Sequence, residues 1–299
     1  MGIRFLGVGK YLPPTIVRNE DISSSPDWVR KNLGMNERHI EYVLETSDMA
    51  VCAAQNALAS AKLEAKDIDV IILATSTPDM MIPSTASIVQ GKLGAKNAFA
   101  FDVSAVCSGF VYALYLAKNI LENDSCKKIL VIASEKYSMI TDWNDRNCVY
   151  FADGAGAVIV ENNSARFVSH LYTNGEFSNY FTTKSANDKF KMQGRKIHEY
   201  AVDAVSRSIE SYFREDIDNI KWVIPHQPNI HILREISKKT NIPFTKFVVT
   251  LDKFGNTAGA TIPMALDVIK DQINDGDLIL MAAVGAGMTG GTILIEWKS

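Results

Sequence analysis

Apolar positions along the chain fall into two rhythms that follow one another: short runs that are apolar throughout, and longer stretches with helical spacing. From Thr46 an N-cap residue opens the alanine-rich stretch TSDMAVCAAQNALASAKL, a predicted helix. The run at 70–74, VIILA, is apolar on both sides, as a strand buried inside a layered sheet is. A helix is predicted over 83–93 and a strand over 98–103. Directly after that strand, SAVCSGFVYALYLAKNIL keeps helical spacing for about four turns. Buried strands are predicted again at 128–133 and 156–161.

The second half repeats this order. Residues 222–224 match 70–72 at an offset of 152, and a strand and helix within 247–269 match those within 98–120 at an offset of 149. Residues 278–282 match 129–133 at 149, and 290–296 match 155–161 at 135. Four weak matches in order favour an internal duplication of an α/β unit over two unrelated α/β domains. Strands alternating with helices predict sheets covered by helices. The expected halves are 1–165 and 166–299. Between them, 166–195 is polar and glycine-punctuated, which reads as an irregular excursion: a substrate-covering loop or a solvated insertion.

Composition narrows the function classes. Hydrophobic residues make up 47% of the 299 and charged residues 22%, enough for a substantial core. With 31 Lys+Arg against 34 Asp+Glu, the net charge of -3 gives no global positive field, so nucleic acid and anionic membrane are not expected partners. No apolar stretch approaches a membrane span, and the N-terminus reads as a strand and turn rather than a signal peptide. Cys52, Cys107, Cys126 and Cys148 lack CxxC spacing and lie in or beside apolar runs, which suits a reducing setting; the expected location is the cytoplasm.

Three residues stand at junctions where chemistry is placed. Cys107, in DVSAVCSGF, lies between a strand and a helix, where unpaired N–H groups and the helix dipole favour a thiolate. The competing reading is a buried, inert cysteine. His226, in VIPHQPN, follows a buried strand and is either a rigidly held functional imidazole or a hydrogen-bonded loop histidine. Asn256, in DKFGNTAGATIP, sits 149 positions after Cys107, at the matching junction; it faces a shared cavity or caps a helix. The glycine-rich runs at 153–156 and 285–291 lead into strands rather than helices, which breaks the dinucleotide-binding context and favours tight layer packing. His39, His170, His198 and His231 give no metal spacing, so no metal is expected. Trp28 and Trp143 are core anchors or stacking surfaces. Lys238 and Lys239 lie on a solvated helix face or dock an acidic partner.

The chain resembles the beta-ketoacyl-[acyl-carrier-protein] synthase III family of the thiolase-like fold. The likeness rests on DVSAVCSGFVYAL at 102–114, FADGAGAVIV at 151–160, PHQPN at 225–229, GNTAGATIP at 255–263 and the closing GAGMTGGTILIEW. It implies an internally duplicated five-layered α-β-α-β-α architecture, usually dimeric, and an acyltransferase of fatty acid biosynthesis. By the resemblance, Cys107 is the nucleophile that takes an acyl group from an acyl-CoA, and His226 and Asn256 complete the set. These two hydrogen-bond the malonyl-acyl-carrier protein thioester while carbon dioxide leaves, and the enolate attacks the acyl-cysteine. No cofactor is implied.

The resemblance further implies an oxyanion or active-site loop at Gly287, Met288, Thr289 and Gly290, with Met288 near the acyl pocket. Trp28 and Arg146 match the family's coenzyme A entrance. His231, Arg234 and Lys238 are candidates for carrier-protein docking. Two positions depart from the pattern: Asn32 stands where an arginine is usual, and His231 where a basic residue is common after HQxN. The same residues also suit a specialised condensing enzyme or acyltransferase with another acceptor. A noncatalytic scaffold subunit has no physical need for Cys107, His226 and Asn256 together.

Overall fold

A computed structural model of the chain describes residues 2–123, 125–185 and 188–299. The first half opens with β1 (Gly2–Tyr11), followed by β2 (Thr15–Arg18), α1 (Asn19–Ile22), α2 (Pro26–Leu33) and β3 (Glu37–Ile40). It continues through α3 (Thr46–Ala61), β4 (Val70–Ala74), α4 (Thr85–Leu93), β5 (Phe99–Val103), α5 (Gly109–Asn123), β6 (Lys128–Lys136) and β7 (Asp153–Asn163). The second half runs through β8 (Phe167–Thr173), the short pair β9 (Phe181–Thr182) and β10 (Lys191–Met192), and α6 (Gly194–Tyr212). Then come β11 (Ile220–Pro225), α7 (Ile230–Thr240), α8 (Leu251–Phe254), α9 (Thr261–Ile269), β12 (Leu278–Gly285) and β13 (Thr289–Glu296).

The two main sheets share one plan. In the first the order is β1-β7-β6-β4-β5, with β4 parallel to β5 and β6, and β7 antiparallel to β6 and β1. In the second the order β11-β12-β13-β8 repeats the senses of β4-β6-β7-β1: one parallel pair, then two antiparallel pairs. The period of two along each strand sorts its side chains into layers. In β4, Val70, Ile72 and Ala74 pack with α5 and α9 in the central cluster, while Ile71 and Leu73 pack with α3 on the other face. In the second sheet Ile279, Met281 and Ile293 point to the same central cluster, and Leu280 and Leu294 pack beneath α6 and α7. The result is the five-layered α-β-α-β-α thiolase-like arrangement. Fully buried Phe110 and Leu114 of α5 illustrate its drive, each worth about 1.5–3 kcal/mol in apolar burial.

Small residues let the outer layer approach closely. A side chain added at Gly9 of β1 would come within 2.3 Å of the Ala57 backbone N and 2.6 Å of the Ala53 carbonyl in α3, which explains the alanine-rich face of that helix. The glycines of the 153–156 run do the same work between layers: a Cβ at Gly156 would meet Pro263 and the Met264 backbone N at 2.8 Å.

Three expectations change. The helix predicted from residue 83 starts at Thr85, because Ser84 is its N-cap and the Asp102 carboxylate receives the Thr85 and Ala86 N–H groups at 2.8 and 2.7 Å. The strand expected after residue 247 shrinks to a single bridge between Phe247 and Val223. Gln227 is the reason: its amide oxygen accepts from Thr250 N and Leu251 N at 2.9 and 3.1 Å, and its nitrogen donates to Val248 O at 3.0 Å. A side chain thus occupies groups that a sheet ladder would use. Finally, 166–195 is not irregular throughout, since its opening part is β8, paired along β13.

Candidate active site

Cys107 lies in a single 3-10 turn, Val106–Ser108, between β5 and α5. The turn begins with Val106 in the left-handed region at φ 49°, a strained setting for a β-branched residue. Neighbouring contacts hold it there. The Ser108 hydroxyl donates to Ala105 O at 2.7 Å and pairs with the Thr289 hydroxyl at 2.7 Å. Gly285, at the end of β12, packs against the same backbone: a Cβ there would lie 2.6 Å from Ala105 O and 3.0 Å from Cys107 N.

The second half has a matching turn, Ala258–Ala260, which begins with Ala258 at φ 46° and leads into α9. Left-handed residue, turn and helix all recur at an offset of 152, so the backbone pairs Cys107 with Gly259 and not, as the 149 offset suggests, with Asn256. Asn256 stands ahead of the turn instead. Its backbone O accepts from Ala152 N at 2.9 Å and its side-chain Oδ1 from Ala258 N at 2.9 Å. Oδ1 therefore does cap the turn. For Nδ2, no acceptor lies within hydrogen-bond reach among the described residues.

His226 follows β11 and keeps that strand in register by donating its backbone N–H to Ala282 O at 2.7 Å. Its Nδ1 lies 3.3 Å from Thr261 Oγ1 at the start of α9. The rest of PHQPN fixes the loop: Gln227 ties it to 248–251, and Asn229 Oδ1 caps α7 by accepting from Ile232 N at 3.0 Å.

Cys107, His226 and Asn256 border one cavity of about 560 Å³, together with Trp28, Phe181 and Met288. His226 and Asn256 are almost wholly buried. Burial pushes the His226 imidazole down to about 3, so it is neutral at ordinary pH. Burial, followed by the negative charge of Glu135, pushes the Cys107 thiol up. Loss of solvation thus works against the unpaired N–H groups that favour a thiolate.

The other expected site residues separate. Met288 borders the cavity, buried and left-handed at φ 48°. Gly287 and Thr289 do not border it, though Thr289 braces the Cys107 turn, and Gly290 lies in β13 against the Tyr172 ring. Trp28, half exposed, stands at the mouth with Asn32, whose side chain donates to Trp28 O at 2.9 Å. Arg146 is outside the cavity; burial pushes up Tyr150, which borders it, and the Arg146 charge offsets part of that rise. His231 joins α7 to α2, with Nε2 3.1 Å from Lys31 O; Arg234 lies over the Phe244 ring, and Lys238 is exposed at the end of α7.

Sequence reasoning missed several neighbours. The β9–β10 pair brings Phe181 and Phe190 onto Phe151, with ring centres 5.8 and 5.0 Å away, and walls the cavity. Arg195, His198 and Glu235 line the mouth, where His198 Nε2 meets Glu235 Oε1 at 3.1 Å. Glu135 had a legible signal, as an acid ending the apolar run KILVIAS. No group of histidines, cysteines and acids among the described residues is placed to hold a metal. None of their helices is long and apolar enough to cross a membrane.

A duplicated α/β body with a cysteine turn between the last strand of the first sheet and a buried helix is the architecture of thiolase-like condensing enzymes, a class of acyltransferases. Comparison with known proteins narrows the class. Residues 101–175 match the model of 3-oxoacyl-[acyl-carrier-protein] synthase III, and 214–297 match that of its C-terminal part. The chain belongs to the beta-ketoacyl-[acyl-carrier-protein] synthase III family. The synthase III of Wolbachia pipientis wMel is 42% identical to it, with 98% of each chain covered. That of Ehrlichia ruminantium (strain Welgevonden) is 40% identical with the same coverage. The crystal structure of 3-oxoacyl-[acyl-carrier-protein] synthase III from Aquifex aeolicus VF5 superposes with a TM-score of 0.95 at 37% identity, covering 99% of this chain and all of the other.

Proposed function

We propose that this chain initiates fatty acid synthesis by condensing an acyl-CoA primer with malonyl-acyl-carrier protein. The observation that carries the reading is the convergence of Cys107, His226 and Asn256 on one largely apolar cavity, in a member of this family. Cys107 attacks the primer thioester, its sulfur replaces that of coenzyme A, and the thiol proton ends on the departing coenzyme A. A thioester remains, so the acyl group stays activated. The backbone N–H of Cys107 stabilises the oxyanion of this step, with Gly285 keeping side chains out of the way.

In the second half-reaction His226, held neutral, and Asn256 hydrogen-bond the malonyl thioester carbonyl. The carbon–carboxylate bond breaks, carbon dioxide leaves, and its electron pair becomes the enolate that these donors stabilise. The enolate carbon attacks the acyl-Cys107 carbonyl. The sulfur departs, takes up one proton, and 3-oxoacyl-acyl-carrier protein is released. These steps call for no resident cofactor.

Trp28 and Arg146 take the adenine end of coenzyme A, and the face of α7 carrying His231, Arg234 and Lys238 receives the acidic carrier protein. The chain divides into halves after residue 165, one bringing the cysteine and the other the histidine and asparagine. It works as a cytoplasmic homodimer. Supporting the dimer, β5 has an edge left unpaired by the described residues and carrying half-exposed Phe99, and the loop before α4 leaves Met81 and Ile82 almost bare.

The test is intact-protein mass spectrometry of acyl transfer to Cys107 from a panel of acyl-CoAs, with and without malonyl-acyl-carrier protein. Loading followed by malonyl-dependent unloading into a 3-oxoacyl product is expected. Loading without that turnover would point to an acyltransferase with another acceptor. No Cys107-dependent loading from any donor would overturn the reading.

A further inference from the structure

Arg38 is wholly buried, yet no step above uses it. A buried guanidinium is costly unless its N–H groups find acceptors, and an aliphatic chain of similar length would fill the space without that cost. Its hydrogen-bond partners are neutral. It stands in β3 opposite Val17 of β2, with Nη1 3.4 Å from the Val17 carbonyl. Nη2 donates to Asn19 Oδ1 at 2.8 Å and to Val149 O at 3.2 Å. Asn19 is wholly buried as well and is held in turn, its Nδ2 donating to Met35 O at 2.7 Å. Burial lowers the guanidinium only to about 10, so it keeps its charge at neutral pH.

The two ends of this side chain touch the two sides of one backbone bridge. Phe151 and Asn256 form an isolated parallel bridge, in which Ala152 N–H donates to Asn256 O at 2.9 Å. The guanidinium holds Val149 O, two residues ahead of Phe151. The stem lies against Gly255, one residue ahead of Asn256: a Cβ on that glycine would stand 2.9 Å from Arg38 Cβ and 2.9 Å from Ala152 Cβ. Gly255 is at φ 70°, a turn that lets the chain pass this close and deliver Asn256 to the cavity. With Oδ1 of Asn256 bound to Ala258 N, Nδ2 is the group left for a substrate oxygen, and its aim depends on this bridge. The Cys107 turn is braced by other residues, Ser108, Thr289 and Gly285.

We propose that Arg38 is a positioning residue for the second half-reaction: its guanidinium and stem clamp the Phe151–Asn256 bridge from behind and hold the Asn256 amide where the malonyl thioester carbonyl binds. A donor to a developing oxyanion loses most of its effect when it drifts by about 1 Å. Arg38 takes no part in acyl loading. The inference rests on Asn256 serving the decarboxylation, as proposed above.

The experiment measures two rates in the full chain: acyl loading of Cys107 from an acyl-CoA, by intact-protein mass spectrometry, and carbon dioxide release from malonyl-acyl-carrier protein. Arg38→Met keeps the stem and removes the head, whereas Arg38→Lys keeps the charge without the planar fork. Arg38→Met is expected to lower carbon dioxide release about 10- to 100-fold and to leave loading within about threefold of the wild type. Arg38→Lys is expected to fall between the two. In an Asn256→Ala background Arg38→Met should add no further loss, because it acts through Asn256. A merely structural arginine would lower both rates alike, through the folded fraction. An equal fall in both rates, a full further loss in the Asn256→Ala background, or wild-type carbon dioxide release in Arg38→Met would each overturn the proposal. Should Arg38→Met fail to fold, Asn19→Ala removes one acceptor of the guanidinium and is expected to lower carbon dioxide release about three- to tenfold with loading spared. Unaltered release in that variant would equally sink the idea. A wild-type chain that releases no carbon dioxide would refute the condensing reading and the Arg38 role with it, whereas the outcomes above refute the Arg38 role alone.

Discussion

Gly285 and Cys107 are packed so closely that a single added carbon at the glycine would stand 3.0 Å from the cysteine's backbone nitrogen. It would also stand 2.6 Å from Ala105 O, closer than real side chains approach backbone. Gly285→Ala therefore has to displace the Val106–Ser108 turn that carries the Cys107 N–H, the proposed oxyanion donor. The expected outcome is a fall of about 100-fold in acyl loading, the order seen when an oxyanion donor is lost. Destabilisation of about 1–3 kcal/mol from overpacking should accompany it. Loading rates by mass spectrometry and urea unfolding separate the two; wild-type loading would show that the close approach has no catalytic consequence.

In the proposed mechanism His226 serves only the second half-reaction. His226→Ala is expected to leave Cys107 acylation within a few-fold of the wild type and to lower malonyl decarboxylation by about 100-fold or more. Because burial holds the imidazole at about 3, it stays neutral from pH 5 to 8, and the wild-type decarboxylation rate should show no histidine inflection in that range. Equal survival of both half-reactions in the variant would remove His226 from the second one.

Much of this arrangement was legible in the chain, and its failures share a cause. The strand at Val70–Ala74 is bounded as its pattern predicts, because all five residues are buried and nothing distant competes for its edges. The lost strand after Phe247 was unreadable, since Gln227, some twenty positions away, takes its hydrogen-bonding groups. Likewise the partner that makes β8 a strand is β13, more than a hundred residues on. The pairing of Cys107 with Gly259 was hidden because sequence matching aligns similar residues, whereas the duplication preserves a backbone shape, the left-handed start of each turn. The thiol is pushed up first by burial and then by the Glu135 charge, and both come from elements that the local sequence around Cys107 does not contain.

Glu135 makes a separate prediction for stability. A carboxyl raised to about 7 in the folded state and near 4.5 in the unfolded chain binds its proton more tightly when folded. Its contribution is fully present below about pH 4.5 and is lost as pH rises through about 7. Glu135→Gln has no such loss, so its melting temperature relative to the wild type should become more favourable between pH 5 and pH 8. Calorimetry at both values checks this, and a pH-independent difference would mean that Glu135 does not titrate in that interval.

Trp28 stands half exposed at the cavity mouth, well removed in sequence from the cysteine turn. Its indole face is suited to stack on a planar base. Trp28→Ala should raise KM for an acyl-CoA about two- to tenfold, with kcat nearly unchanged. Loading from an acyl thioester that lacks the nucleotide should not change. An equal loss with both donors would place Trp28 in the packing of α2 instead of in nucleotide binding.

Two exposed apolar features lie on the first half, and both need a cover. Met81 and Ile82 are 95% and 84% exposed, an extreme setting for side chains of this size, and Tyr42 and Val43 are also bare. Among the described residues strand β5 has no neighbour on its outer side, and it carries Phe99, half exposed and stacked near Phe101 at 6.4 Å. An open, apolar edge invites pairing with another strand, and in a two-fold dimer the same edge can pair with itself. The wild-type chain should therefore sediment as a dimer at micromolar concentration. Replacing Met81 and Ile82 together by lysine places like charges on both copies and should shift the equilibrium toward monomer, with little change in unfolding because neither side chain is packed in the single chain. A wild-type chain that sediments as a monomer would contradict the homodimer. A double variant that remains fully dimeric would confine the interface to the β5 edge, where Phe99→Lys is then the change expected to separate the copies.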